Sequence, residues 1–461
     1  MVKTTKTLVL TSALLGPVVG LSGCTGGSDN EDTSAGMDGD DGAMTGGDGG
    51  DGGTDDADET GGTPAGCSGK GDVDRYQLVE SDIGADTEWT CDTVYVLAPD
   101  THVFVNGAVL TIEPGTTVLG NSGSALVIEK DSQIVAEGTA DAPIVLTSFQ
   151  DSPARGDWGG LVMLGSASTN IGTGQAEGFA TAPTYGGSDD AHNCGALAYL
   201  RVEYAGFAIS EGNELNGITF YACGSGTSVH HVQSHMGADD GIECFGGTFD
   251  MDHVIVTGAD DDALDLDQGF RGTLQYVFVH QDNSTGNHGL EWSNQGTDFA
   301  ATPLTSPTLC NGTIVGSAAE KSKGFIFKEG NEAAVHSTIF TGASGEAGVL
   351  SNVETETLAM AGDITLRNNI FFGNGSPQFT SSTKSWTDED WEGFVLDAGN
   401  NNLTEDPSLA SATFGSPDIT PGSVVAGAGA VASSCEDNDY IGAVDPAGDN
   451  WTAASWINYA P

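Results

Sequence analysis

Asp239-Asp240, Asp260-Asp261-Asp262, Asp265 and Asp267 gather seven carboxylates on one short stretch, and His288 follows soon after. Three chemistries could use that set. Crowded carboxylates raise one another's pKa, which creates an acid beside a base. Inverting glycoside hydrolysis needs that pair, spaced to admit a water. Calcium takes six to eight oxygens in a flexible cage, which stacked carboxylates can supply. Aspartate also accepts backbone hydrogen bonds at turns, with no further role. The spacing matches neither an EF-hand nor a glycine-rich nonapeptide calcium repeat. His230, His231, His235 and His253 form a second group. His231 and His253 are 22 residues apart, each just before a valine, so they should stack outward on neighbouring strands. Three such imidazoles could hold zinc, or stand as an exposed ladder without metal. No Ser-His-Asp constellation, phosphate-cradling glycine loop or basic patch accompanies them.

The elements that carry these residues repeat. Asp239-Asp240-Gly241-Ile242-Glu243-Cys244 is followed after 22 residues by Asp261-Asp262-Ala263-Leu264-Asp265-Leu266. Asn287-His288-Gly289-Leu290-Glu291-Trp292 comes 26 residues later. Each phrase is a polar turn, a small residue, then apolar-acid-apolar, the mark of a strand with one buried face. Repeats of this length signal a solenoid, in which a unit buries its apolar side only by stacking on its neighbours. Gly160-Leu161-Val162-Met163-Leu164, Gly217-Ile218-Thr219-Phe220 and Gly324-Phe325-Ile326-Phe327 fit the same slot. In register, Ile218, Ile242, Leu264, Leu290 and Phe325 make one inward column, and Phe220, Cys244, Leu266, Trp292 and Phe327 another. Glu243, Asp265 and Glu291 then line up outward, about 4.8 Å per coil apart, which demands good solvation or a bound cation. No helical periodicity of comparable length is present, and 68 glycines suit a chain that turns every few residues.

The N-terminus reads as an export signal. Lys3 and Lys6 precede an apolar run from Leu8 to Val19, and Leu21-Ser22-Gly23-Cys24 matches the bacterial lipobox, with Cys24 as the lipidated residue. Thr25 after that cysteine, in place of aspartate, resembles cargo released to the outer membrane. The apolar run is too short to span a bilayer. Residues 25–66 hold twelve acids and no base among Gly, Thr, Ser and Ala, so they read as an extended, self-repelling tether. Net charge is −53, and 54 acids against 11 bases remain beyond the signal and tether. That excludes nucleic acid and anionic lipid as natural partners of the folded part. A saline habitat, bound divalent cations or a cationic ligand would each explain it, since screening shortens to about 3 Å at molar salt. Seven cysteines remain in an oxidising compartment. The pairings expected are Cys67–Cys91 as an N-terminal staple, Cys194–Cys223 across one coil and Cys310–Cys435, with Cys244 as a buried free thiol.

Short alternating strands then follow, broken by Pro-Gly, Gly-Thr and Asp-Ala-Pro corners. Ile112-Glu113-Pro114-Gly115-Thr116, Ile134-Val135-Ala136-Glu137-Gly138-Thr139 and Ala142-Pro143-Ile144-Val145-Leu146-Thr147-Ser148 resemble the opening coils of pectin-lyase-like right-handed parallel β-helix proteins. Gly186–Gly206, the Asp239–Glu243 coil and the ending Tyr440–Val444 with Asn450-Trp451-Thr452 are similar to uncharacterised secreted and outer-membrane β-helical lipoproteins of bacteria. The fold class expected is all-β: a single-stranded right-handed parallel β-helix, a solenoid with end caps. Its parts are a signal at 1–23, a tether at 24–66, a stapled cap at 67–93, the β-helix at 94–380, and the last coils with a C-terminal cap at 381–461. Trp386, Trp391, Trp451 and Trp456 are expected to seal the open end of the core.

Polygalacturonases, also β-helices, carry Asn-Thr-Asp-Gly, Asp-Asp, Gly-His-Gly and Arg-Ile-Lys on successive coils. By that resemblance Asp240, Asp261, Asp262 and His288 match the catalytic carboxylates and histidine. The match is incomplete: the first motif lacks its Asn-Thr, and Ile326 stands where the substrate-binding arginine belongs, with Lys328 surviving. The function expected is a non-catalytic, lipid-anchored protein of the cell envelope that presents a long β-helical face to a glycan or protein, reinforced by calcium. The alternative is a polysaccharide hydrolase using the Asp240, Asp261, Asp262 and His288 set.

Overall fold

The computed structural model describes residues 65–461, apart from 180, 211–212, 423–424, 426–428, 430–431, 433 and 437. Cys24, the signal segment and the tether as far as residue 64 lie outside the described residues. Among the described residues no helix is long and apolar enough to cross a membrane.

Strands stack in parallel into two large sheets, one of sixteen strands and one of ten, which makes the chain a parallel β-helix. The repeating slot lies on the ten-stranded sheet, and its register follows the sequence spacing. Ile218 pairs with Ile242, Ile242 with Leu264, Leu264 with Leu290 and Leu290 with Phe325. All five, and the second column of Phe220, Cys244, Leu266, Trp292 and Phe327, are fully buried. The small residue before each strand is a steric requirement. A Cβ on Gly241 would lie 2.3 Å from Val256, and one on Gly289 would lie 2.3 Å from Ile314.

The sixteen-stranded sheet contains five long strands: Gly195–Glu203, Ser228–His235, Met251–Thr257, Thr273–His280 and Thr308–Val315. Each bends at one left-handed residue, namely Tyr199, His231, His253, Tyr276 and Asn311, with φ between 45° and 56°. These five drop out of the pairing, so each strand serves two faces of the solenoid. Bulky residues rarely adopt this conformation, and each costs on the order of 1–3 kcal/mol. Stacking offsets part of that cost: ring centroids are 4.4 Å apart for Tyr199–His231, 4.2 Å for His231–His253 and 4.7 Å for His253–Tyr276.

The coil begins ahead of the expected boundary. Tyr76–Val79 already pairs with Val94–Leu97, and Thr87–Trp89 with Val109–Ile112. Among the described residues, helix α1 at Val353–Ala361 interrupts the strands and helix α2 at Asp388–Val395 follows the last of them. Thr387 starts α2 with a reciprocal capping box to Asp390. Disulfides join Cys67 to Cys91, Cys194 to Cys223 and Cys310 to Cys435, while Cys244 is free and buried.

The C-terminal segment divides its tryptophans between two tasks. Trp391 and Val395 of α2, with Trp386 and Phe394 beside them, close the end of the main core. Trp451 and Trp456 do something else. On the outer face of the sixteen-stranded sheet, Ile419, Val444, Trp456 and Ile457 cover Ile255, Phe278 and Val315. An outward apolar row on a sheet needs such a cover, which the end-cap reading did not anticipate.

Candidate functional site: a carboxylate groove on the ten-stranded sheet

The outer face of the ten-stranded sheet changes character along its length. Over the earlier coils it is apolar. Val127, Val162, Leu164, Tyr221 and Phe245 pack beneath Ala176, Phe179, Tyr185 and Leu215. The covering chain includes a small hairpin, Gly174–Gln175 against Thr184–Tyr185, and the Tyr185 hydroxyl donates to Gln268 at 2.7 Å. Over the later coils the same outward column becomes Glu243, Asp265 and Glu291, paired in register. These acids point away from the core as expected, yet they are covered and not freely solvated. Glu243 is 8% exposed and the Glu291 side chain 16%. The cover is local: the Asn216 amide donates to Glu243, and Lys328 bonds Glu291.

A second row runs along the preceding corner. Asn216 Oδ1 accepts the N–H of Asp240 at 3.2 Å, Asp240 Oδ1 that of Asp262 at 2.9 Å, and Asp262 Oδ1 that of His288 at 2.5 Å. Each side chain thus holds the backbone of the next coil, the turn role open to aspartate. His288 Nδ1 also donates to Asp262 at 2.9 Å and lies 3.2 Å from Glu291. Burial alone would lower His288, but those two carboxylates push it up to about 9. Burial would likewise raise Glu291, and His288 with Lys328 outweighs it, holding Glu291 at about 2. His288 Nδ1 is therefore a committed donor to structural partners.

The four residues matched to the polygalacturonase pattern do not converge. Asp240, Asp262 and His288 are buried in the corner row, while Asp261 is exposed. Asp261 lines a depression of about 450 Å³ with Asp239, Asp260, Ser284, Thr285 and Lys321. Asp262 instead bonds His288 in the corner row, so the two neighbouring aspartates have different surroundings. The seven expected calcium ligands likewise fall into separate groups. Asp239, Asp240 and Asp261 form one group, and Asp240, Glu243 and Asp265 another, each with oxygens within 4.8 Å of one another. Asp262 belongs to His288, Asp260 lies in the depression, and Asp267 bonds the N–H of Gln268.

Asp240, Glu243 and Asp265 are the least comfortable carboxylates. Burial raises all three well above the carboxylate range, and nearby acids add to it: Asp265 on Asp240, Asp240 on Glu243, and Glu291 on Asp265. Burial and Asp261 push Asp239 up to about 7. Burial holds Asp267 at about 7 against a lowering bond from Gln268, and burial with Glu214 raises Glu177 to about 7. Asp265 Oδ1 is buried with no hydrogen-bond partner. Buried polar atoms are almost always satisfied, so this oxygen, beside two more acids, has the donor chemistry a hard cation takes.

Asn216, Glu243, Glu291 and Glu177 belong to this site and were not among its expected ligands. Asn216-Gly217-Ile218 repeats the slot of Asp240-Gly241-Ile242, so a search for the phrase with asparagine admitted would have found the first of them. Glu177 sits on the covering chain and carries no periodic signal.

The histidine quartet also divides. His235 is fully buried and bonds Thr257 Oγ1 at 2.7 Å, whereas His230, His231 and His253 gather at the bend of the other sheet. His231 and His253 are partly covered by Trp451 and Trp456, so this is not the exposed ladder expected.

A parallel β-helix with a column of covered acids on one outward sheet face and an acidic depression at its corner is the class these features define. The comparison of sequences agrees. Residues 81–413 match the family described as a pectate-lyase-like beta helix domain, and the chain belongs to that family. No curated protein and no solved structure matches the chain at a significant level.

Proposed function

We propose that this protein is a cell-envelope lipoprotein, anchored through Cys24 to the outer membrane, that binds a glycan or protein partner along the carboxylate groove. Calcium on Asp240, Glu243 and Asp265 reinforces the groove. The single observation that carries the reading is the buried, unpartnered Asp265 Oδ1 within reach of two more acids. A calcium ion there would neutralise charges that the chain itself leaves crowded, and would reinforce the coils that carry them. The large negative charge opposes polyuronates, so a neutral or cationic ligand, or an acidic one bridged by calcium, fits best.

A hydrolase reading keeps one observation in its favour. Asp239, held at about 7, faces the Asp261 carboxylate at an open depression. An acid beside a carboxylate is what glycoside hydrolysis uses. The expected result for the full-length protein is a melting temperature that rises with calcium against chelator at fixed ionic strength, and a response lost in Asp265→Asn. Incubation with neutral and acidic polysaccharides should give calcium-dependent binding and no new reducing ends. Identical melting curves would overturn the calcium site, and turnover lost in Asp239→Asn would replace binding with hydrolysis.

A further inference from the structure

The bend of the sixteen-stranded sheet brings together a donor set of a different kind. His231 and His253 stand on adjacent strands, each at the left-handed bend, with rings stacked at 4.2 Å and 8°. Each has a second donor next to it in sequence. His230 Nδ1 lies 3.1 Å from His231 Nδ1, and Asp252 Oδ1 lies 2.6 Å from His253 Nδ1. His230 and Asp252 are themselves register partners on the adjacent strands, and His230 reaches the set through His231. Donor atoms of His231, Asp252 and His253 all lie within 4.8 Å of one another.

We infer that His230, His231, Asp252 and His253 form a binding site for a divalent transition-metal ion of the zinc, copper or nickel type. Three arguments support the assignment. Ligands about 2.0–2.1 Å from a tetrahedral zinc are about 3.3 Å apart, close to the present separation of the His230 and His231 nitrogens. Imidazole nitrogens with one carboxylate suit borderline cations and not calcium, which takes oxygen, so this site differs in kind from the groove. Two histidines in the left-handed region cost on the order of 1–3 kcal/mol each, and such strain persists only where surrounding packing fixes it. The packing here is an aromatic wall: Tyr199 stacks on His231 at 4.4 Å, Tyr276 lies 4.7 Å from His253, and Trp451 lies 4.8 Å from His253. Such a wall holds the rings in place before an ion arrives. One side stays open, since the Asp252 side chain is 51% exposed and that of His253 25%. A bound ion would therefore remain accessible to solvent and to an exogenous ligand.

The test uses the full-length protein, stripped with chelator and held in excess calcium to occupy carboxylate sites. Cobalt(II) reports ligation through its visible absorption, and copper(II) through quenching of nearby tryptophan fluorescence. One equivalent should bind with an intense tetrahedral-type cobalt spectrum, and copper should quench Trp451 strongly. His231→Asn with His253→Asn should weaken binding at least about a hundredfold, since two direct ligands are lost. Asp252→Asn removes an exposed ligand without disturbing the stack, and should weaken binding about tenfold with the circular dichroism spectrum unchanged. Asp265→Asn should change nothing here. Absence of stoichiometric binding, a weak octahedral oxygen-type cobalt spectrum, or unchanged affinity in Asp252→Asn and in the folded histidine variant would each overturn the inference.

Discussion

The two outward faces of this solenoid are built by one rule and reach opposite results. Stacking in register places each outward residue above its counterpart on the next coil, so a run of similar residues becomes a column. On the ten-stranded sheet that rule piles Glu243, Asp265 and Glu291 upon one another. On the sixteen-stranded sheet it piles rings and apolar side chains, with Tyr199, His231, His253 and Tyr276 at the bend and Ile255, Phe278 and Val315 beside them. A column of acids is self-repelling, and here it is covered only by local bonds such as those from Asn216 and Lys328. A column of rings and aliphatics is self-cohesive and is closed by the chain itself. Periodicity sets the geometry, and side-chain chemistry then decides whether a face is finished or left to a partner.

The largest effect expected from this contrast lies on the closed face. Arg201 Nε donates to Glu203 at 2.8 Å and Nη1 to the Trp456 carbonyl at 2.7 Å, with both ionic side chains 6% exposed. Arg201→Met would leave Glu203 charged, buried and unpaired, and should cost about 3–5 kcal/mol in urea unfolding, with red-shifted tryptophan emission. An unchanged midpoint would mean that the C-terminal segment is held by its apolar contacts alone.

Acid should act on the two faces with opposite signs. Burial lowers His235 and His280 to about 4, below the usual 6.5. Their contribution is present above pH 6.5 and lost as pH falls towards 4, about 2 kcal/mol each by pH 5. Asp239 and Asp267 are raised to about 7. Their contribution is present below pH 4 and lost as pH rises through 7. Going from pH 7 to 5 in calcium-free buffer therefore weakens the closed face and relieves the groove. The double variant His235→Gln/His280→Gln should gain stability over that interval, while the parent protein gains less or loses. Parallel profiles would show that the two faces are not distinguished by protonation.

The smallest effect belongs to the groove. Glu243→Gln replaces one acid of the column by a neutral group and keeps an oxygen for the Asn216 amide. Calcium-free stability should rise by up to about 1 kcal/mol, and the calcium response should shrink. A fall in calcium-free stability would show that repulsion in the column is already relieved.

Much of the fold was legible because it is periodic. The Ile218-to-Phe325 and Phe220-to-Phe327 columns are the apolar positions of one repeated phrase, and a solenoid makes each repeat bury the same side. The site was legible only in outline. A strand pattern tells outward from inward, but whether an outward acid is wet depends on what covers it: Asn216 and Lys328 at the ends of neighbouring strands, and the chain around Glu177, which carries no repeat. Splitting Asp261 from Asp262 depends on corner geometry, which two like neighbours do not reveal. The fold-back of the C-terminal segment had no signal at all. Its contacts join residues as far apart as Arg201 and Trp456, through a stretch with no repeat.

Two glutamines give that fold-back a further meaning. Gln233 donates to the Asn458 carbonyl and accepts its N–H at 2.8 Å, and Gln275 does the same with Glu436, accepting at 2.9 Å. Each carboxamide imitates a peptide group, so the segment docks as if beside one more strand. These rungs span 225 and 161 residues, and closing so long a loop adds little entropy cost over a shorter one. What the distance does impose is an order of events. A chain emerging from its N-terminus lays down the strands that carry Gln233, Ile255, Gln275 and Phe278 long before residue 436 exists. Their flank therefore closes late, and the unfinished molecule carries an adhesive side until residues 436–458 arrive.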